Sequence, residues 1–303
     1  MSRPRGAVRA RSPLAAIFLV ASAVVAGQPA TVSAATAAEV ARGKYIFGAT
    51  GGCGCHTKPK DAVNSGGRRY DGPFGTVYAS NITPDRQTGI GGWSDDQLIT
   101  AIRLGRRPDG GRLIPVHPFT VFNGMAEEDL RALVAYLRTL PPVNRATPPK
   151  KIIVPLFESV FLPTWLAAFA PRENPPPAAP ASGVARGEYL VRAVGHCGEC
   201  HTPRTMTMAT DNSRFLAGNA KGPEDSEVPN ITPDKDTGLA WTVEQIAEFL
   251  GSGNKPDGDV AGGLMGEVIQ GTSAGYKDLT NADRLAIAQY LKTVPAIKNK
   301  IGK

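Results

Sequence analysis

Apolar residues near the end of each half of the chain recur at the spacing of an amphipathic helix. They occupy positions i, i+3, i+4 and i+7, first at Leu130, Leu133, Val134 and Leu137 and again at Ile287, Tyr290, Leu291 and Val294. This spacing places the apolar side chains on one face of a helix. A proline follows each series and marks the end of the helix. Each half is therefore predicted to close with an amphipathic helix.

Two further helices are predicted from capping boxes, in which side chains bond the backbone N–H groups that lack a helical partner. The first box is Ser-Asp-Asp-Gln at residues 94–97, and the second is Thr-Val-Glu-Gln at residues 242–245. We predict that these helices run to Gly105 and Gly251. Strand-like alternation of apolar and polar residues is nearly absent, so the pattern predicts an all-α fold.

The same landmarks occur twice in the same order, which indicates a duplicated chain. The matched pairs are Gly-x-Tyr at 43–45 and 187–189, Cys-His-Thr at 55–57 and 200–202, Asn-Ile-Thr-Pro-Asp at 81–85 and 230–234, Pro-Asp-Gly at 108–110 and 256–258, and Tyr-Leu at 136–137 and 290–291. The offset between the copies drifts only from 144 to 154 residues. A single repeat of this length indicates two homologous domains rather than a solenoid of shorter units.

A proline-rich stretch separates the two copies. We predict a first domain over residues 35–140, a linker over residues 141–182 and a second domain over residues 183–303. Proline favours an extended, semi-rigid backbone in the linker. The middle of the linker carries Phe157, Phe161, Leu162, Trp165 and Phe169. This apolar stretch is predicted to pack on the domains, and docking to a membrane or a partner subunit is the alternative.

Residues 1–34 have the order of a secretory signal peptide. Four arginines and no acid accompany an apolar run over residues 14–26, and small residues follow up to Ala34. The run is shorter than the roughly 18 residues expected of a membrane-spanning helix. We predict cleavage after Ala34 and export to the periplasm, with an uncleaved N-terminal anchor as the alternative.

The charge of the chain changes once this peptide is set aside. The full sequence has 34 basic and 27 acidic side chains and a formal charge of +7. Removing the four arginines of the first 34 residues leaves 30 basic against 27 acidic side chains, a balance of +3. No basic stripe with interleaved aromatic residues is present in the sequence. Nucleic acid is therefore not a predicted partner.

The second copy contains Cys197-Gly198-Glu199-Cys200-His201, the C-x-x-C-H signature of c-type haem attachment. On one helical turn the two thiols lie three residues apart on the same face, so both can reach the vinyl groups of one porphyrin. His201 then provides the proximal ligand of the iron. The alternatives are a disulfide, a zinc site and a thioredoxin-like redox pair. The predicted cofactor of this copy is a covalently bound haem c.

The first copy departs from that signature, because Cys53-Gly54-Cys55-His56 lacks one residue between the cysteines. Thiols two residues apart on a regular helix point about 200° apart, so two thioethers require a distorted backbone. The neighbouring glycines permit such a distortion. We predict a second haem c here, bound by Cys53, Cys55 and His56, with Cys55 as the safer attachment point. Whether one or two thioethers hold it is left open, and a haem-free domain is the alternative.

Each iron needs a second axial ligand from elsewhere in its domain. In the second copy the candidates are Met206, Met208 and Met265. Met265 lies on a glycine-rich loop before the closing helix, where the chain can bring a thioether over the open face of the haem. Met206 and Met208 follow His201 too closely to reach round the ring. Met265 is therefore the predicted ligand.

In the first copy the loop at the same place contains a histidine, His117, between Pro115 and Pro118. The prolines stiffen the loop at the position of the sixth ligand, so we predict that His117 binds the first iron. Met125 is the alternative, although it better fits a core or capping position. Imidazole stabilises ferric iron more than a thioether does. The first haem is therefore predicted to have the lower potential, with electrons running from the first haem to the second.

Other residues near the motifs have weaker assignments. His196 precedes the second motif and is expected to be solvated. Two repeated asparagines and two tryptophans either contact the haem or have local turn and core roles, namely Asn81, Asn230, Trp93 and Trp241.

Together, these motifs resemble the cytochrome c subunits of periplasmic alcohol, gluconate and related dehydrogenases, and similar dihaem cytochromes. The resemblance rests on the two haem motifs, the Asn-Ile-Thr-Pro-Asp loops, Cys-His-Thr-Pro-Arg at residues 200–204 and the Tyr-Leu-Lys-Thr-Val-Pro ending. It covers nearly the whole chain after the signal peptide and implies two tandem class I cytochrome c domains joined by the proline-rich linker. In many relatives the first-domain loop reads Pro-x-Met-Pro, which maps their methionine ligand onto His117.

The predicted function is electron transfer without catalysis. The resemblance implies a periplasmic dehydrogenase as donor, an acceptor in the respiratory chain and, as an option, contact with the membrane through a partner subunit. The rival is a dihaem redox enzyme that binds a small substrate at haem iron, as a thiosulfate dehydrogenase or a peroxidase does. Such an enzyme needs an open or displaceable sixth position. The predicted ligands His117 and Met265 fill both positions and favour electron transfer.

Overall fold

Helices are the main secondary structure of the computed structural model, which describes residue 1 and residues 35–170 and 175–302. The predicted signal peptide, apart from Met1, lies outside the described residues. From Ala35 onward the described chain forms one compact unit. The helices of the first half are α1 (Ala37–Ala49), α2 (Asp95–Leu104), α3 (Phe119–Phe122) and α4 (Glu127–Leu137).

The second half has a similar order of helices. A π-helical turn, Phe157–Phe161, leads into α5 (Leu162–Phe169) between the halves. The later helices are α6 (Gly183–Tyr189), prolonged by a π-helical turn at Leu190–Val194, then α7 (Cys197–His201), α8 (Val243–Ser252), α9 (Gly263–Gln270) and α10 (Asn281–Thr293). Within residues 35–170 and 175–302, no helix combines the length and apolar composition that crossing a membrane requires.

The first and last helices of each half cross at a glycine. Gly43 of α1 faces α4, and a Cβ atom added there would lie 1.8 Å from the carbonyl oxygen of Ala132. Gly187 meets α10 in the same way, at 1.9 Å from the oxygen of Ala286. The repeated Gly-x-Tyr therefore marks a crossing that admits no side chain. All eight apolar residues of the two predicted closing helices are buried, which confirms those helices.

The capping boxes start α2 and α8 as predicted, with both reciprocal hydrogen bonds formed in each. Gly105 ends α2 in the left-handed conformation, at φ 62°. The predicted end of α8 at Gly251 is wrong by two residues, because Gly253 ends the helix at φ 83°. A helix ends at the glycine that takes a positive φ. Gly251 instead lies within α8, and a Cβ atom added there would lie 2.3 Å from the guanidinium of Arg284.

A small antiparallel sheet accompanies the helices, which the sequence pattern did not predict. A hairpin joins β1 (Arg69–Gly72) to β2 (Gly75–Tyr78), and β3 (Lys151–Ile152) from the linker pairs with the start of β2. Strands of four residues or fewer are too short to show a clear alternation. The fold is therefore mostly helical, as predicted, with a sheet that pins the start of the linker to the first half.

The apolar middle of the linker is buried on one side only. Leu162 is 2% exposed, the rings of Phe157 and Phe74 lie 5.6 Å apart, and Trp165 Nε1 donates to the carbonyl oxygen of Thr207 at 2.7 Å. These contacts agree with the predicted packing on the domains. Large apolar side chains nevertheless remain exposed along the same stretch, at Ile153, Leu156, Val160, Phe161 and Phe169. The alternative of docking to another surface therefore stays open for this face.

The two halves exchange a matched pair of hydrogen bonds. Tyr45 of α1 donates to the carboxylate of Asp283 in α10 at 2.7 Å, and Tyr189 of α6 donates to the carboxylate of Asp129 in α4 at 2.6 Å. Each tyrosine hydroxyl also accepts a hydrogen bond from a backbone N–H group at the start of the partner helix. Equivalent residues thus make equivalent contacts, which is the pattern of an isologous, two-fold interface.

An arginine from the same half completes each carboxylate site. Arg42 donates to Asp129 at 2.7 Å, and Arg186 donates to Asp283 at 2.8 Å. Burial by itself raises the pKa of Asp283, but the hydrogen bonds from Arg186 and Tyr45 outweigh it and lower the pKa below the ordinary value. Asp283 is therefore held as an anion by Arg186 of its own half and Tyr45 of the other. Asp129 has the matching partners, Arg42 and Tyr189.

Replacing Tyr189 with phenylalanine removes a hydrogen bond to a carboxylate that is 0% exposed. We expect the free energy of unfolding of Tyr189→Phe to fall by about 1.5–3 kcal/mol, the range for hydrogen bonds to charged groups. Tyr136→Phe is the matched control, because its hydroxyl bonds the neutral hydroxyl of Ser273 at 3.1 Å across the same interface. That control is expected to cost about 0.5–1.5 kcal/mol. Urea denaturation measures both, and equal losses would contradict a special role for the buried carboxylate.

Candidate haem sites

A backbone carbonyl orients the predicted proximal histidine of the first half. A short 3₁₀ turn, Gly54–His56, presents His56, whose Nδ1 lies 2.7 Å from the carbonyl oxygen of Ser80. A carbonyl oxygen only accepts, so Nδ1 carries the proton and donates, and Nε2 is left bare. Burial lowers the pKa of His56 and favours the neutral ring. This is the arrangement that a metal-binding histidine requires.

The second half repeats this arrangement at His201, the last residue of α7. Its Nδ1 donates to the carbonyl oxygen of Pro229 at 2.8 Å, and burial again lowers the pKa of the ring. Ser80 and Pro229 each come directly before an Asn-Ile-Thr-Pro-Asp loop. The repeated loops therefore supply the carbonyl groups that orient both histidines, a role that the sequence pattern alone did not reveal.

The asparagines of these loops have local roles. Asn81 is buried; its Oδ1 accepts from the backbone N–H and hydroxyl of Thr83, and its Nδ2 donates to the carbonyl oxygen of Val143 at 2.8 Å. Asn230 makes the same bonds with Thr232 and the carbonyl oxygen of Ile297. Both amides are thus engaged in fixing the loop to the segment after the closing helix. The local interpretation of these residues is correct.

The structure brings the predicted axial pair of the first half together. The ring centres of His56 and His117 lie 6.5 Å apart, and the ring planes are inclined by 69°. A metal ion bonded to one nitrogen of each ring at about 2 Å would hold the ring centres about 6 Å apart. The observed spacing therefore fits an iron between the two imidazoles.

The surroundings of His117 also fit a metal partner. Its Nδ1 is buried and has no hydrogen-bond partner among the described residues. Burial, with smaller contributions from His56 and His196, lowers the pKa of His117 to about 3 and keeps the ring neutral. A buried imidazole nitrogen without a partner is costly, and a neutral ring is the form that binds metal.

The methionine candidates separate by burial. Met125 is 0% exposed in the hydrophobic core, which confirms its predicted core position. Met206 and Met208 are 104% and 49% exposed. Met265 is the third residue of α9, is partly buried and packs against the core. Its role as the sixth ligand of the second iron stays a prediction.

The expectation that His196 is solvated is wrong. Its ring lies 5.5 Å from that of Phe122, and its Nε2 lies 3.3 Å from the carbonyl oxygen of Thr50, both in the first half. Burial lowers the pKa of His196. The packing of one half on the other covers this ring, and a neighbour in the other half leaves no signal in the local sequence.

Comparison with known proteins agrees with this geometry. A dihaem cytochrome c-type protein of Cereibacter sphaeroides is 40% identical over 276 residues, which cover 86% of this chain and 87% of that protein. The chain belongs to the dihaem c-type cytochromes. This membership confirms the predicted cofactor, two covalently bound haem c groups. No protein-family profile matches the chain.

Two further relatives are cytochrome subunits of dehydrogenases. The cytochrome c subunit of an alcohol dehydrogenase (quinone) from Gluconobacter oxydans is 35% identical over 269 residues, covering 85% of this dihaem cytochrome and 55% of the subunit. The fructose dehydrogenase cytochrome subunit of Gluconobacter japonicus is 34% identical over 288 residues, covering 92% and 58%. The dihaem cytochrome thus spans little more than half the length of these two subunits. The resemblance inferred from its motifs is confirmed.

No disulfide joins the four cysteines within the described residues, and Cys53, Cys197 and Cys200 are partly buried. Burial raises the pKa of Cys53 to about 12, that of Cys197 to about 11 and that of Cys200 to about 12. The thiolate is the form that attacks disulfides, so the raised pKa values do not favour the redox pair. Among the described residues, no group of three or more histidine, cysteine or acidic side chains is arranged to hold a metal ion.

The shortened motif of the first half changes the position of Cys53. This cysteine has a left-handed backbone, φ 49° and ψ 34°, which matches the φ 41° and ψ 36° of His196 just before α7. Cys53 therefore occupies the conformation of His196 rather than that of Cys197. Its sulfur lies 3.4 Å from the hydroxyl of Thr50. This placement favours Cys55, beside His56, as the attachment point.

Cysteine variants test how the first haem is attached. We expect Cys53→Ala to retain two covalent haems per chain, because the buried Cys53 thiol faces Thr50, and Cys55→Ala to retain only one. Mass spectrometry after denaturation counts the haems, with the wild-type chain as the reference. Loss of a haem from Cys53→Ala would instead indicate that both thioethers form, and a single haem in the wild type would contradict attachment in the first half.

Proposed function

We propose that this dihaem cytochrome transfers electrons in the periplasm, from a dehydrogenase toward the respiratory chain, and performs no catalysis at its irons. The observation that carries the proposal is the pair of His56 and His117, whose ring centres lie 6.5 Å apart. An enzyme that binds substrate at haem iron needs an open or displaceable sixth position. With both His56 and His117 as ligands, the first iron would have no such position.

Four side chains hold the two irons in this proposal. They are His56 and His117 in the first half, and His201 and Met265 in the second. When bound, each haem c supplies a reversible one-electron couple. The chain contributes neutral, partly buried imidazoles whose Nδ1 protons are fixed by the carbonyl groups of Ser80 and Pro229. Ligands held in this way need little rearrangement when an electron enters or leaves.

The ligand sets give the transfer a direction. Two imidazoles stabilise ferric iron more than one imidazole and one thioether do, so the first haem has the lower potential. Electrons would then pass from the first haem, held by His56 and His117, to the second, held by His201 and Met265.

A short path supports this transfer between the sites. The ring centre of Phe122 lies 5.7 Å from that of His117 and 5.5 Å from that of His196. His196 directly precedes Cys197 of the second motif. The Nε2 of His196 also lies 3.3 Å from the carbonyl oxygen of Thr50, three residues before Cys53. The two attachment motifs therefore lie near each other.

The partner and the compartment follow from different observations. The alcohol and fructose dehydrogenase relatives are named as cytochrome subunits, which supports a dehydrogenase as electron donor. The order of residues 1–34 supports export to the periplasm. The exposed apolar side chains of the linker offer a surface for a partner subunit, through which the cytochrome would also meet the membrane.

Electron paramagnetic resonance of the oxidised protein tests the proposed function. We expect two low-spin ferric signals, one typical of two histidine ligands and one of histidine with methionine, and no high-spin signal. His117→Ala should convert the first signal alone to high spin, because it removes one axial ligand.

Met125→Leu is the matched control for the first iron. Met125 lies in the core, so this conservative change should leave both signals as they are in the wild type. A high-spin signal in the wild type would favour the enzymatic rival. Loss of the first low-spin signal in Met125→Leu, with its retention in His117→Ala, would overturn the ligand assignment.

A further inference from the structure

A buried arginine of the first half reaches across to the second haem site. The side chain of Arg68 is only 9% exposed, and it lies directly before β1. It donates through Nη1 to Glu267 at 2.6 Å and through Nε to Glu224 at 2.9 Å, and a second contact reaches each carboxylate. Both glutamates belong to the second half. A planar guanidinium that binds two carboxylates in this way fixes their relative position.

Each of the two glutamates lies on a segment near a predicted ligand of the second iron, either in the same helix or in the loop that leads to the ligand's hydrogen-bond partner. Glu267 lies in α9, two residues after Met265. Glu224 lies in a loop that returns through Val228, which is hydrogen-bonded to Asn219, to Pro229. The carbonyl oxygen of Pro229 is the group that orients His201. One arginine therefore connects the helix that carries Met265 with the loop that leads to the hydrogen-bond partner of His201.

The backbone of the Glu224 loop is strained and needs a contact from outside the loop to hold it. Glu224 and Asp225 have φ values of 58° and 55°, in the left-handed region that costs energy for residues other than glycine. A strained turn persists only when its surroundings hold it. The ion pair with Arg68 is such a constraint.

The duplication does not account for this contact. Gly66 N donates to the carbonyl oxygen of His56, and Gly218 N donates in the same way to that of His201, so the two glycines are equivalent. Counting on from them, the residue equivalent to Arg68 is Ala220. Alanine carries no donor, and the contact therefore runs in one direction only, from the first half to the second.

We propose that Arg68 is a positioning residue for the second haem, which holds α9 and the Glu224 loop so that Met265 and His201 keep their places on either side of the iron. The inference rests on the ligands assigned in the proposed function. It adds that the first half controls the ligation of the haem in the second half.

Spectra and potentials of Arg68 variants test this inference. In Arg68→Ala we expect partial loss of the methionine–iron charge-transfer band of the oxidised protein and a lower potential of the second haem. The low-spin signal of the first haem should not change. Arg69→Ala is the matched control, since Arg69 pairs with Asp71 on the same hairpin and its side chain is 62% exposed. It should leave the band and both potentials at their wild-type values.

Two milder variants keep the test decisive if Arg68→Ala does not fold. Arg68→Lys keeps the charge but not the forked geometry, and Glu267→Gln weakens one of the two ties, so each should give a smaller shift in the same direction. An unchanged band and potential in folded Arg68→Ala, or in both milder variants, would overturn the inference and leave the proposed function intact. A wild-type protein without the band would instead overturn the ligation by Met265 on which the inference rests.

Discussion

The structure depends on how the proximal histidines are held. A histidine binds iron through a bare nitrogen only if its other nitrogen keeps the proton, and a carbonyl oxygen at hydrogen-bond distance enforces this. Ser80 and Pro229 provide that oxygen at 2.7 and 2.8 Å. The carbonyl groups stay in place because Asn81 and Asn230 fasten the following loops to the ends of the two halves. The crossing helices then surround a site whose orientation is already set.

The second constraint is that neither half is complete without the other. Asp129 and Asp283 each need a tyrosine from the opposite half, and the ring of His196 is covered by the first half. Buried anions and buried polar rings are costly unless they are paired. The interface therefore stabilises the two halves together, and it also fixes the spacing between the two haem sites. Electron transfer between the haems, as proposed, would depend on that spacing, so the contacts that stabilise the chain would also set the conditions for the proposed function.

The sequence predicted those features whose cause is local. Periodicity located the closing helices α4 and α10, and the capping boxes located α2 and α8. The residues responsible are in each case neighbours along the chain. The end of α8 was misplaced because Gly251 and Gly253 have the same side chain and only the backbone distinguishes them. The surroundings of His196 and the role of Arg68 could not be predicted, because their partners lie in the other half. The hydrogen bonds from Tyr45 to Asp283 and from Tyr189 to Asp129 have a sequence signal, the repeated Gly-x-Tyr. The repeat does not show, however, that each tyrosine bonds an aspartate of the other half.

In a duplicated protein, the positions that break the repeat indicate where the two copies have separate tasks. The matched residues here, such as the helix-crossing glycines and the loop asparagines, build the frame. The unmatched ones, Cys53, His117 and Arg68, all lie at or reach a haem site. Two identical haem sites would have equal potentials and would give an electron no preferred direction. Under the proposed ligand assignment, different axial ligands on a symmetric frame would create that preference, because the frame keeps the sites close while the ligands would make their potentials unequal.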